Sequence, residues 1–137
     1  MAALALMGLA ACGDAGAEQG ATRAQILNAN GDVLLEVAIW VAETEDELRE
    51  GLRRYPPLAQ DEGLLLLFPV ETTICITNTG VPYPIDVVYA SADRQVIAVE
   101  TIPADAPGHY CHPQTAMALE LQGGALRSTN PVKLQLF

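Results

Sequence analysis

Five consecutive apolar residues, Leu64-Leu65-Leu66-Leu67-Phe68, stand between Gly63 and Pro69 and constrain the fold of this chain more than any other feature. The run is too short for a core helix and has no polar side, so it reads as a central strand covered on both faces. Such a strand needs a neighbour along each edge and a packed layer on each face. Residues 33–41 read as a second strand. Val33, Leu35, Val37, Ile39 and Val41 fall on one face, and Leu34, Glu36, Ala38 and Trp40 on the other, the pattern of a long half-buried strand. Asn30-Gly31 separates it from a shorter apolar stretch at 24–27 and predicts a tight hairpin with both turn residues at positive φ.

Thr44-Glu45-Asp46-Glu47 has the spacing of a capping box, and Leu48, Leu52 and Tyr55 follow at helical intervals. The spacing predicts a helix over 45–54, supported by the i,i+4 pairs Glu45 with Arg49 and Glu50 with Arg54 and stopped by Pro56-Pro57. Gly51 inside it costs about 1 kcal/mol against Ala, which implies a close backbone neighbour there. Further strands are expected at 74–77, 86–90 and 95–101, the last two joined by a turn at Ala92-Asp93-Arg94. Pro103, Pro107, Gly108 and Pro113 make 103–113 a loop, and 116–121 returns as a strand that ends at Gly123-Gly124. After a turn at Asn130-Pro131, Val132, Leu134 and Leu136 alternate with Lys133 and Gln135 in a closing strand. About eight strands and one helix imply a β-rich α+β domain: a strongly curved or barrel-like, mainly antiparallel sheet with the helix packed over one opening.

The order of several short motifs resembles one known family. Glu45-Asp46-Glu47-Leu48-Arg49-Glu50-Gly51-Leu52, Glu62-Gly63 with the apolar run to Pro69, Asn78-Thr79, Pro84-Ile85-Asp86, Asp93 with Val96-Ile97-Ala98-Val99, and Ala118-Leu119-Glu120 are similar to the domain-of-unknown-function family DUF192. The resemblance covers nearly all of the folded part. It implies a β-rich α+β module, often carried behind a signal peptide or lipoprotein signal, with no established activity. This chain departs from the family pattern where Cys75 and Thr77 replace an aromatic and a basic residue before Asn78, where 78–86 is longer, and after Glu120, where the chain is shorter. Those departures fall around any family ligand site near Asn78-Thr79.

The first residues indicate a location. Residues 1–11 are apolar and uncharged and end in Leu9-Ala10-Ala11-Cys12, small residues before a cysteine whose thiol takes a lipid. This reads as a lipoprotein signal at 1–11, a flexible tether at 12–23 and one domain at 24–137, placed outside the cytoplasm and anchored to a bacterial membrane on its periplasmic side through Cys12. Seventeen acidic residues against seven basic ones give a net charge of −10, which repels nucleic acid. The expected partners are the membrane, through the anchor, and an envelope ligand or protein.

Chemistry gathers in few places. With Cys12 lipidated, Cys75 and Cys111 form an even pair in an oxidising compartment and predict a disulfide contributing about 3 to 4 kcal/mol. His109, Cys111 and His112, with Asp105 upstream, offer the other reading of the same loop: a metal site or an imidazole-activated thiol. Glu62, Asp86 and Glu120 are carboxylates among apolar neighbours, two of which at a defined separation would offer general acid–base catalysis. Structural duties suit them: Glu62 fixing the turn into Leu64, Asp86 capping backbone donors after Pro84, Glu120 facing solvent. Asn78 and Thr79 suit a turn, Tyr83 and Tyr110 fall in loops, and Trp40 lies on the less apolar face of its strand. No phosphate cradle, serine elbow or zinc-protease helix occurs, and no cofactor is expected. The leading expectation is a non-catalytic binding or accessory module whose ligand meets the loops 70–83 and 103–113, with Asn78, Thr79, Tyr83, Asp86, Tyr110 and Glu120 as candidate contacts. The alternative is an envelope enzyme or metal-handling protein working through Cys111, His109 and His112.

Overall fold

A computed structural model describes residues 20–127 and 129–137; the signal segment, Cys12 and most of the tether lie outside the described residues. Strand β1 (Arg23–Leu27) forms a hairpin with β2 (Val33–Ala42), and a short helix α1 (Glu45–Glu50) continues into a 3-10 turn at Gly51–Arg54. There follow β3 (Glu62–Ile76), β4 (Ile85–Ala90), β5 (Val96–Ile102), β6 (Tyr110–Gln122) and β7 (Lys133–Leu136). The strands lie in the order β5-β4-β6-β3-β2-β1-β7. Among the described residues only β2 and β3 run parallel, because α1 and the segment after it carry the chain back to the starting end of the sheet.

The two outer strands are drawn together. Gln95 bridges Lys133, the Val96 N–H donates to the Val132 carbonyl at 2.9 Å, and the Leu134 N–H donates to the Arg94 carbonyl at 3.0 Å. The sheet therefore curls into a half-barrel. Its interior draws side chains from every strand, among them Ile26, Val37, Leu65, Val88, Leu119 and Leu134. The opposite face of β3, β4 and β6 carries Leu64, Leu66, Val87, Tyr89 and Ala118 and is covered by Leu52, Leu58 and Val81 from the helical segment and the loops. Leu64 to Leu67 alternate between these two layers, which is why the run shows no polar side.

Several local expectations need correction. The runs expected at 64–68 and 74–77 are one strand, so the described sheet has seven strands. Tyr110 to Pro113 belong to β6, whereas the prolines had indicated a loop. Pro113 is tolerated because it falls between the pairs Ile74 with His112 and Thr72 with Thr115, where the register shifts and Gln114 takes φ 55°. An imino nitrogen forfeits no ladder bond in such a bulge. At the first hairpin only Gly31 has positive φ (85°); the Asn28 side chain accepts from the Asn30 and Asp32 N–H groups at 2.9 Å each, and the loop is longer than a two-residue turn. Thr44 and Glu47 form the expected capping box. Gly51 does not mark a close backbone approach, since a methyl group there would meet nothing within 4 Å. Its φ of 54° and ψ of −137° end the α-helix in a conformation that glycine accepts readily. Arg49 takes Asp46 as its partner, at 2.5 Å, and Arg54 takes Glu50 at 2.7 Å.

Candidate site: a polar cavity beneath the helical segment

Strand alternation along β6 places Glu120 on the same face as Ala118, opposite Leu64 of β3 and Val87 of β4. Its neighbours are the apolar residues that α1 and the 3-10 turn cover. Glu120 does not face solvent: it is 4% exposed, and its Oε1 has no hydrogen-bond partner in the protein. Burial pushes its pKa up to about 8, so the carboxyl is mostly neutral at pH 7.

Asn78 lies past the end of β3 and is completely buried. Its Nδ2 donates to the carbonyls of Tyr83 at 3.0 Å and Pro103 at 2.9 Å, which fixes the amide orientation and leaves Oδ1 without a partner. The surrounding turn is held to the 103–106 loop by three more bonds. Thr79 Oγ1 donates to the Ala106 carbonyl at 2.9 Å, the Gly80 N–H to Asp105 Oδ1 at 2.8 Å, and the Asp105 N–H to the Val81 carbonyl at 2.8 Å. Thr79 is thus occupied by backbone.

Between these groups and the helical segment lies a cavity of about 200 Å³, lined by Leu48, Arg53, Leu66, Ile76, Asn78 and Glu120 among others. Arg53 is exposed at its margin, where Nε donates to the Glu50 carbonyl at 3.1 Å and Nη2 to the Arg49 carbonyl at 2.7 Å. Gly80 permits this placement, since a Cβ there would come within 3.1 Å of Arg53 Cδ. A groove alongside shares Arg53 and is walled by Tyr55, Pro57, Pro82 and Tyr83. Trp40 stacks on Tyr55 with ring centroids 5.2 Å apart.

The remaining candidates are dispersed. Tyr83 borders the groove; its hydroxyl lies near the Leu58 backbone without completing hydrogen-bond geometry, and burial chiefly raises its pKa. Asp86 has structural work: it accepts from Thr101 Oγ1 at 2.9 Å and from the N–H groups of Gly124 at 3.2 Å and Leu126 at 3.0 Å. Those backbone donors follow β6, not Pro84 as the sequence had indicated. Glu62 accepts from the Ala59 N–H at 2.9 Å and closes the turn before β3. Tyr110 opens β6 and receives the Tyr89 hydroxyl on its carbonyl at 2.7 Å.

Cys75 and Cys111 are directly paired across β3 and β6 and joined in a disulfide, S–S 2.05 Å. The bonded sulfur of Cys111 is not available as a thiolate to attack or to bind metal. His109 is exposed, while His112 shares a 2.7 Å hydrogen bond with Glu100 and sets its ring edge against Tyr89 at 4.5 Å. These side chains do not converge, and the described residues hold no group of three or more His, Cys, Asp or Glu placed to share a metal. Sequence reasoning named Asn78 and Glu120 but missed Arg53 and Leu48, which the short helical segment brings over them.

Fold and site together define a β-rich half-barrel module with a small, acid-floored cavity under a short helix. The chain belongs to the DUF192 family, described as an uncharacterized ACR, whose sequence profile matches residues 25–132. No curated protein matches it. A crystal structure from Sinorhizobium meliloti 1021, described as a "putative transcription regulator", shares the fold with TM-score 0.75 at 19% identity, over 83% of this chain and 92% of that one. A protein of unknown function from Novosphingobium aromaticivorans DSM 12444 superposes with TM-score 0.69 at 20% identity, over 82% of this chain and 83% of its own. At these identities the likeness is one of fold.

Proposed function

We propose that this protein is a lipid-anchored, periplasm-facing binding module that takes a small polar solute into the cavity between Glu120 and Asn78, without catalysis. One observation carries the reading: Glu120 and Asn78 line the same cavity, and each holds a buried oxygen, Oε1 and Oδ1, with no partner in the protein. An unpaired buried polar atom costs about 1 to 3 kcal/mol, so a fold retaining two of them beside a cavity is suited to a ligand that bonds them. The anchor rests on residues 1–12, and the disulfide suits an oxidising compartment.

Two experiments test it. A screen of small amines, amides, polyols and amino acids against the 15N-labelled protein is expected to give saturable shifts at Asn78, Gly51 and Glu120; shifts scattered over the surface, or none, refute the solute site. In a bacterial host the full chain is expected to sediment with membranes and Cys12→Ala to remain in the soluble fraction. Equal partitioning of the two refutes the anchor.

A further inference from the structure

We infer that the solute is a compact zwitterion, with a primary ammonium held by the oxygens of Glu120 and Asn78 and an anionic group received at the cavity margin by Arg53. This rests on the cavity being the solute site. Both unpaired atoms at the buried end are oxygens: the Asn78 amide cannot turn its nitrogen inward without breaking its bonds to the Tyr83 and Pro103 carbonyls. Asn78 Oδ1 can only accept, so the occupant must bring a donor, and an ammonium brings three together with a charge that an ionised Glu120 would complement. A bound ammonium stabilises Glu120 as the carboxylate, and the carboxyl proton passes to solvent.

The margin has the opposite character. Arg49 is paired with Asp46 and Arg54 with Glu50, but the two hydrogen bonds of Arg53 go to backbone carbonyls. Among the described residues its positive charge has no carboxylate partner. A simple cation would meet Arg53 as a repulsive neighbour, and a simple anion would leave Asn78 Oδ1 without a donor; a molecule with both charges satisfies both ends. Size limits the choice further. A cavity of about 200 Å³ suits a compact solute such as an amino acid or short aminoalkanoate.

The test is a titration of the 15N-labelled protein with β-alanine and 4-aminobutyrate, and with butylammonium and butyrate as probes carrying one charge each. The zwitterions are expected to shift the Asn78 and Glu120 signals saturably and each single-charge probe to bind about tenfold more weakly or worse. E120Q and R53Q are each expected to weaken zwitterion binding by about tenfold, with R53K retaining most of it. Binding of butylammonium as tight as that of the zwitterions, or zwitterion binding unchanged in E120Q, overturns the inference. Saturable shifts with single-charge or neutral solutes, but not with zwitterions, overturn it while upholding the cavity as a solute site. Silence at these signals with every probe and with the wider screen overturns both.

Discussion

Replacing Glu120 by Gln isolates one physical quantity, the cost of ionising a carboxyl in this core. In the folded protein its pKa rises from 4.5 to about 8 because burial penalises the charged form. At about 1.4 kcal/mol per unit, the whole rise corresponds to about 5 kcal/mol. The folded state holds a proton that the unfolded chain gives up above 4.5. Stability from this group is therefore complete below pH 4.5, falls as pH rises, and is fully lost once pH passes about 8. Gln has nearly the same shape and no charge. Urea denaturation of both proteins at about pH 4, pH 7 and pH 9.5 is expected to show E120Q gaining on the wild type by about 3 kcal/mol at neutral pH and about 5 kcal/mol at the alkaline end, relative to acid. Other titrating groups act equally on both proteins and cancel in the difference. Stability curves that run parallel across this range would refute the claim that Glu120 is buried without a partner.

Removing the disulfide with C75A/C111A is expected to lower stability by about 4 kcal/mol, the chain-entropy value for a sequence separation of 36, as read by urea denaturation. Thiol titration of the denatured, unreduced protein should find neither Cys75 nor Cys111 free. Asp86→Ala leaves the Gly124 and Leu126 N–H groups without their acceptor and is expected to cost about 2 to 4 kcal/mol, with hydrogen exchange accelerated at those two amides. Thr44→Ala removes one half of the capping box and should cost about 1 kcal/mol by the same denaturation assay.

The fold was legible where side-chain patterning is decisive. The unbroken Leu64–Leu67 run implied two covered faces, and its residues alternate between two cores. The alternation at 33–41 separated Val37, which enters the half-barrel, from Trp40, which faces the helical side. The parallel pairing of β2 with β3 was not legible, because strand direction depends on where the intervening chain goes. Pro113 misled because a proline marks a loop and a strand bulge alike. The site was half legible. Asn78 and Glu120 stood out as polar residues among apolar ones, but a buried acid and a solvent-facing acid on alternate positions of a strand have the same sequence signature. Arg53 gave no signal, because its place beside the cavity comes from packing of the 3-10 turn near Gly80, which lies far along the chain.

The state of a single carboxyl group decides whether this cavity is suited to a ligand, and 13C-edited NMR of the Glu120 side chain across a pH titration reads that state directly. The expected midpoint is near 8, with the signal of a neutral acid at pH 7. A midpoint in the ordinary carboxylate range, at about 4 to 5, would contradict it and remove the basis for a ligand cavity at this position.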